Sequence, residues 1–93
     1  MHISAETQIK KLAHIYVRHG GKQNRRQQMR RLVKAVDWIF VNHKINRVEQ
    51  IGKKQMRDFY RNHSTLSQAT LLGYFYAFRE LWEWLGRGRL TKE

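Results

Sequence analysis

Leu66-Ser67-Gln68-Ala69-Thr70-Leu71-Leu72-Gly73-Tyr74-Phe75-Tyr76-Ala77-Phe78-Arg79-Glu80-Leu81-Trp82-Glu83-Trp84-Leu85-Gly86 is the stretch whose reading decides the fold. At helical spacing Leu71, Tyr74, Phe75, Phe78, Leu81, Trp82 and Leu85 fall on one stripe, at intervals of three and four. Ser67 is placed to cap this helix, and Thr70, at its third position, can return the hydrogen bond. Gly86 sits just past the last apolar residue, where a left-handed residue stops a helix. The longest aromatic surface of the chain therefore belongs to one element, and the earlier segments must supply its cover.

Working back, Lys53 to Asn62 reads as a short helix with Met56, Phe59 and Tyr60 inward and Lys53, Lys54, Arg57 and Arg61 outside. Before it, Lys44 to Gly52 is irregular, with Ile45, Val48 and Ile51 tucked beneath the helices as a loop or single turn. Asn24 to His43 carries Met29, Leu32, Val33, Val36, Ile39 and Phe40 within about a third of the helix circumference. Arg26, Arg30, Arg31 and Lys34 project on a separate arc, interrupted in sign by Asp37 alone. The first helix spans about Ala5 to His19, capped by Ser4, with Ile9, Leu12, Ala13 and Tyr16 buried and Gly20-Gly21 turning the chain. Strand-like alternation is weak and proline is absent. The expected fold is an all-α, compact bundle of four to five helices in one domain, with a tail from Arg87 that is frayed or begins a linker.

Ninety-three residues leave room for one core. Hydrophobic residues make up 41%, enough for a packed fold. Absent cysteine excludes disulfides and thiolate metal sites. No apolar run reaches membrane-spanning length, and no cleavage signal opens the chain, so a cytoplasmic location is expected. Nineteen Lys and Arg against seven Asp and Glu give a formal charge of +12. A field of that sign steers toward phosphate or anionic lipid. The aromatic residues are committed to a core stripe and do not line a single basic amphipathic helix, which argues against a membrane surface.

The chemistry of sites narrows this further. His14 and His19, five apart, do not share a helical face, and His2, His43 and His63 have no acidic or cysteine partner at ligand spacing. Gly20-Gly21-Lys22 lacks the strand before it and the Ser or Thr after it that a phosphate-cradling loop needs. Neither a nucleophile with its base nor a carboxylate pair stands out, so the chain reads as a non-enzyme requiring no cofactor and no metal. Stacking of single-stranded bases on the aromatic stripe is possible in principle, but helical spacing favours core packing. Helix three, the turn and the start of helix four can form a helix-turn-helix, which brings Gln68, Ala69 and Leu72 near base edges. Ser67 and Thr70 then serve phosphate contact or, preferably, capping alone. Gly73 lacks a propensity reason to stand mid-helix; it allows close approach of another helix or of a DNA backbone.

Three pieces resemble one family. They are the long helix Asn24-Arg25-Arg26 through Arg31-Leu32 to Asp37-Trp38-Ile39; the short helix Lys54-Gln55-Met56-Arg57-Asp58-Phe59-Tyr60; and Leu66-Ser67-Gln68-Ala69-Thr70 continuing to Ala77-Phe78-Arg79-Glu80-Leu81-Trp82. In order and spacing, from about Thr7 to Leu90, they resemble the N-terminal core-binding (SAM-like) domain of tyrosine recombinases of the phage-integrase type. The resemblance implies a helical clamp on one face of duplex DNA, with the two long helices facing it and Ala69 and Gly73 on the approach surface. Its protein partners would be a recombinase catalytic domain or other recombinase protomers. Two departures stand out. Relatives often begin the long helix with threonine, where this chain has Asn24 or Arg25 and Asn24 can cap instead. The Arg/His cluster and tyrosine nucleophile of the catalytic domain are missing, and Tyr16, Tyr60, Tyr74 and Tyr76 are assigned no such role.

Residues and resemblance together predict double-stranded DNA binding in integration or recombination, without catalysis, at a nucleoid-associated location. The predicted contacts are Arg25, Arg26, Arg30, Arg31, Lys34, Lys53, Lys54, Gln68, Ala69, Thr70 and Arg79. Two other readings stay open: a small helix-turn-helix transcriptional regulator, and a protein-interaction module whose basic face meets an acidic partner.

Overall fold

Two Ser-x-x-Thr segments start helices in the same way. Ser4 Oγ accepts from the backbone N–H of Thr7 at 3.2 Å, and Ser67 Oγ accepts from that of Thr70 at 3.2 Å. Each cap satisfies a donor that the first helical turn leaves orphaned and stabilises its helix by about 1 kcal/mol. The structure, a computed structural model, describes residues 4–16, 22–88 and 90, and of 15, 16 and 22–25 the backbone alone. Helix α1 runs Ala5–Tyr16 and α2 Lys22–His43. A short 3-10 turn spans Val48–Gln50, α3 runs Lys53–Asn62 and α4 Gln68–Trp84. The described residues hold no strand, and the protein is an all-α bundle.

The expected bounds of α3 hold, and α4 starts after its serine cap as expected. Helix α2 begins earlier than expected, so Asn24 lies inside the helix and does not cap it. The end of the first helix toward His19 and the Gly20-Gly21 turn lie outside the described residues.

One core joins all four helices. Ile9 from α1, Leu32, Val36 and Ile39 from α2, and Tyr74, Phe78, Leu81 and Trp82 from α4 are buried. Leu12, Ala13, Met29, Val33, Phe40, Leu66, Phe75 and Leu85 pack partly buried against them. The aromatic stripe is thus core, as its spacing required. Ala5, Ala35, Ala77 and Trp84 join it too. Phe59 of α3 stands where three helices meet, only 1% exposed. Its ring lies 5.6 Å from Trp38 of α2 and 5.0 and 5.8 Å from Tyr74 and Phe78 of α4. His63 stacks on its other side at 4.1 Å.

The irregular connector is held by side chains distant in sequence. Gln8 of α1 donates to the carbonyl of Asn46 at 2.8 Å and accepts from the N–H of Val48 at 3.0 Å. Gln50 Oε1 accepts from the N–H groups of Asn46 and Arg47, each at 3.0 Å, and Gln55 Oε1 from that of Gly52 at 2.8 Å. Backbone donors in a loop are satisfied this way without a ladder or helix. Val48 and Ile51 are buried beneath it, as the sequence led one to expect. Lys44 takes a left-handed φ of 54° to end α2.

Gly86 stops α4 with φ 74°, as expected, but Arg87 then folds back. Its guanidinium lies 4.7 Å from the Trp82 ring centroid and donates to the carbonyls of Ile51 and Glu49. Leu90 is buried. Within the described part of the tail, one arginine thus satisfies two connector carbonyls while covering a core indole.

The Tyr60 hydroxyl is buried without a hydrogen-bond partner among the described residues, and burial pushes its ionisation upward. Tyr60→Phe deletes this orphan and keeps the ring, so chemical denaturation should find the variant as stable as the parent, or more stable by up to about 1 kcal/mol. Arg87→Ala removes a part-buried bond to the Ile51 carbonyl and an exposed one to that of Glu49, and should lose about 1 kcal/mol in the same measurement.

Candidate nucleic-acid interface

The predicted contacts lie on three parts of the surface, and their neighbours differ. On α2, Arg26, Arg30 and Lys34 are exposed, about opposite Leu32 and Ile39 at 100° per residue. Arg30 and Lys34 line a groove of about 470 Å³ between α2 and the start of α1. Lys10, Glu6 and Asp37 line it as well, and Lys10 pairs with Glu6 at 2.9 Å. This arc is therefore more mixed in sign than the sequence of α2 alone conveys, because α1 brings a second carboxylate to it. The Arg25 side chain lies outside the described residues.

Helix α3 presents a purer field. Lys53, Arg57 and Arg61 follow at intervals of four, with Lys54 beside them, and all four are exposed. The acidic residue of that helix, Asp58, is turned away and accepts from or pairs with His43 Nε2 at 2.9 Å. Among the described residues the ion pairs are Lys10–Glu6 and His43–Asp58, so no α3 cation is neutralised there. Successive members of the row are about 6 Å apart along the axis, a spacing suited to consecutive phosphates of one strand. Lys53 and Lys54 were predicted contacts. Arg57 and Arg61 were left outside the core without being placed in the site, although the interval of four would have joined them.

The third part is the outer edge of α4. Gln68 and Ala69 are exposed at its start. Thr70 is half-buried, and its hydroxyl accepts from Ser67 Oγ at 2.9 Å, which gives both residues the capping role. Arg79 lies over the Tyr76 ring at 4.8 Å from its centroid. Arg31 does not stand free on the back of α2. It is half-buried, and a Cβ built on Gly73 would fall 2.4 Å from its Nη1 and 2.7 Å from its Cζ. Gly73 therefore admits the guanidinium of a neighbouring helix. Of the two approaches that the sequence left open for this glycine, the structure shows a helical neighbour.

His43 has an acid partner after all, fifteen positions away, where sequence spacing could not reveal it. His63 Nδ1 bonds the carbonyl of Phe59 at 2.7 Å. The described residues assemble no group of three or more His, Cys, Asp or Glu able to hold a metal ion, and none of their helices is long and apolar enough to cross a membrane.

Compared with protein-family models, with curated proteins and with solved structures, the chain matches none.

The contact between Arg31 and Gly73 can be measured. An added methyl at position 73 gains about 1 kcal/mol of helix propensity but must displace the guanidinium. Gly73→Ala should accordingly stabilise the Arg31→Ala background by about 1 kcal/mol and the parent by less. A double-mutant cycle by denaturation reads the difference, and strict additivity would remove the contact from the account.

Proposed function

We propose that the protein binds double-stranded DNA, without catalysis, through phosphate contacts from α2 and α3, with the start of α4 entering the major groove. The observation that carries this reading is the row Lys53, Arg57 and Arg61 with Lys54, exposed, of one sign and unpaired among the described residues. A merely solvated helix face mixes both signs. Such a row placed on a chain of formal charge +12 has the electrostatic footprint of a phosphate-binding protein. Arg26, Arg30 and Lys34 add further cations on α2, and the exposed Gln68 and Ala69 supply groups able to meet base edges.

The finer reading is the core-binding domain of a phage-type integrase, acting in recombination beside a catalytic domain or other protomers, at a nucleoid-associated site. The order of a long helix, a short helix and a Ser67-capped aromatic helix supports it. A second reading, a helix-turn-helix regulator, draws on the five residues 63–67 that link α3 to α4. A two-fold symmetric footprint on a palindromic site would favour the regulator.

Fluorescence anisotropy with a labelled duplex across a salt series tests the common claim. With about six phosphates contacted, log affinity should fall with log salt at a slope near −5. Arg57→Ala, Arg61→Ala, Arg30→Ala and Lys34→Ala should each weaken all duplexes alike and flatten the slope by about one. Absence of salt-sensitive duplex binding would reject the reading and leave the basic faces to an acidic protein.

A further inference from the structure

Resting on that duplex-binding reading, we infer that the outer edge of α4's first half reads A·T pairs, with Gln68 on adenine and with Ala69 and Leu72 against the thymine methyl group. Two of the three large apolar side chains exposed among the described residues, Leu72 at 37% and Tyr76 at 38%, lie on this one edge. With Gln68, Ala69 and Arg79 they fall within roughly 100° of the helix circumference. The edge carries these apolar side chains without an acid among them, and arginines lie beside it. Arg31 lies against Gly73 on one flank, and Arg79 crosses Tyr76 on the other. Phosphates held by such flanking cations place base edges between them.

The chemistry of the edge is selective. A glutamine amide donates to adenine N7 and accepts from its N6 amino group, while small or branched apolar side chains pack on the methyl that thymine alone carries in the major groove. The Ser67 cap fixes the first turn from which Gln68 and Ala69 project, so these groups stand on a rigid end. No carboxylate occurs from Gln68 to Arg79. Glu80 comes about 18 Å farther along the axis than Gln68, beyond a groove entered by the N-terminal end. A G·C pair offers no methyl to the leucine, and its guanine presents acceptors alone, so the amide keeps one kind of bond where adenine gives it two.

The test pairs an A·T-rich duplex with the same duplex carrying uracil for thymine, which removes the methyl group and keeps every hydrogen bond. Binding is read by anisotropy with the parent protein, Leu72→Ala, Gln68→Ala and Arg57→Ala. The parent should bind the uracil duplex more weakly, by about fourfold for each methyl group it buries. Leu72→Ala, at an exposed position outside the buried core, should lose most of that discrimination and keep only the share that Ala69 supplies. Gln68→Ala should lose preference for A·T over G·C, and Arg57→Ala should weaken all duplexes in parallel. Equal affinity of the parent for thymine and uracil duplexes, or full discrimination kept by Leu72→Ala, would overturn the inference while leaving duplex binding intact. A change of oligomeric state on Leu72→Ala would overturn it in favour of a protein contact. Failure to bind any duplex would remove the functional reading itself.

Discussion

The ring of Phe59 is the contact on which the arrangement depends. Helix α3 has ten residues, too few to persist alone in water, and it is held because Phe59 reaches Trp38 of α2 and Tyr74 and Phe78 of α4 at once. Edge-to-face pairs of this kind add about 0.5–1.5 kcal/mol each beyond the area they bury. Met56 is buried on the same side of the helix. Once that side is anchored, the rotation of α3 about its axis is set.

That rotation is also what creates the charged face. With Phe59 inward, helical geometry sends Lys53, Lys54, Arg57 and Arg61 outward together. Asp58, at the edge between core and solvent, is taken up by His43 and accepts from Asn62 Nδ2 as well. The single acid of the helix is thereby removed from the field of the four cations. Core packing and an outer face of one sign are two consequences of one register, and a slip of one position would mix the signs and expose the ring.

The elements governed by local rules were legible in the sequence. Ser67, Gly86 and the aromatic spacing of α4 each act within a few residues, and α4 begins after the first of them as expected. What escaped were contacts between residues far apart in the chain. Gln8 on the connector, Arg87 on Glu49 and Ile51, Arg31 over Gly73 and His43 with Asp58 all need the tertiary fold to bring partners together. Polar side chains were read as outward by default, yet glutamines satisfied loop donors and two arginines lay across the surface of the core. Arg87 is the plainest case, a charge near glycines whose carbonyl partners only the tertiary fold brings within reach. Within the candidate site, the α2 cations were visible by periodicity. The carboxylate that α1 brings beside them was not.

The central claim, that the cations of α3 and the opening of α4 form a surface for duplex DNA, is tested most directly by heteronuclear NMR at two salt concentrations during titration with a short duplex. The account predicts amide and side-chain shifts confined to residues 26–34, 53–61 and 67–79, shrinking as salt rises. Shifts scattered over every basic residue, including Lys11 and Lys44, or no shifts at all, would contradict it.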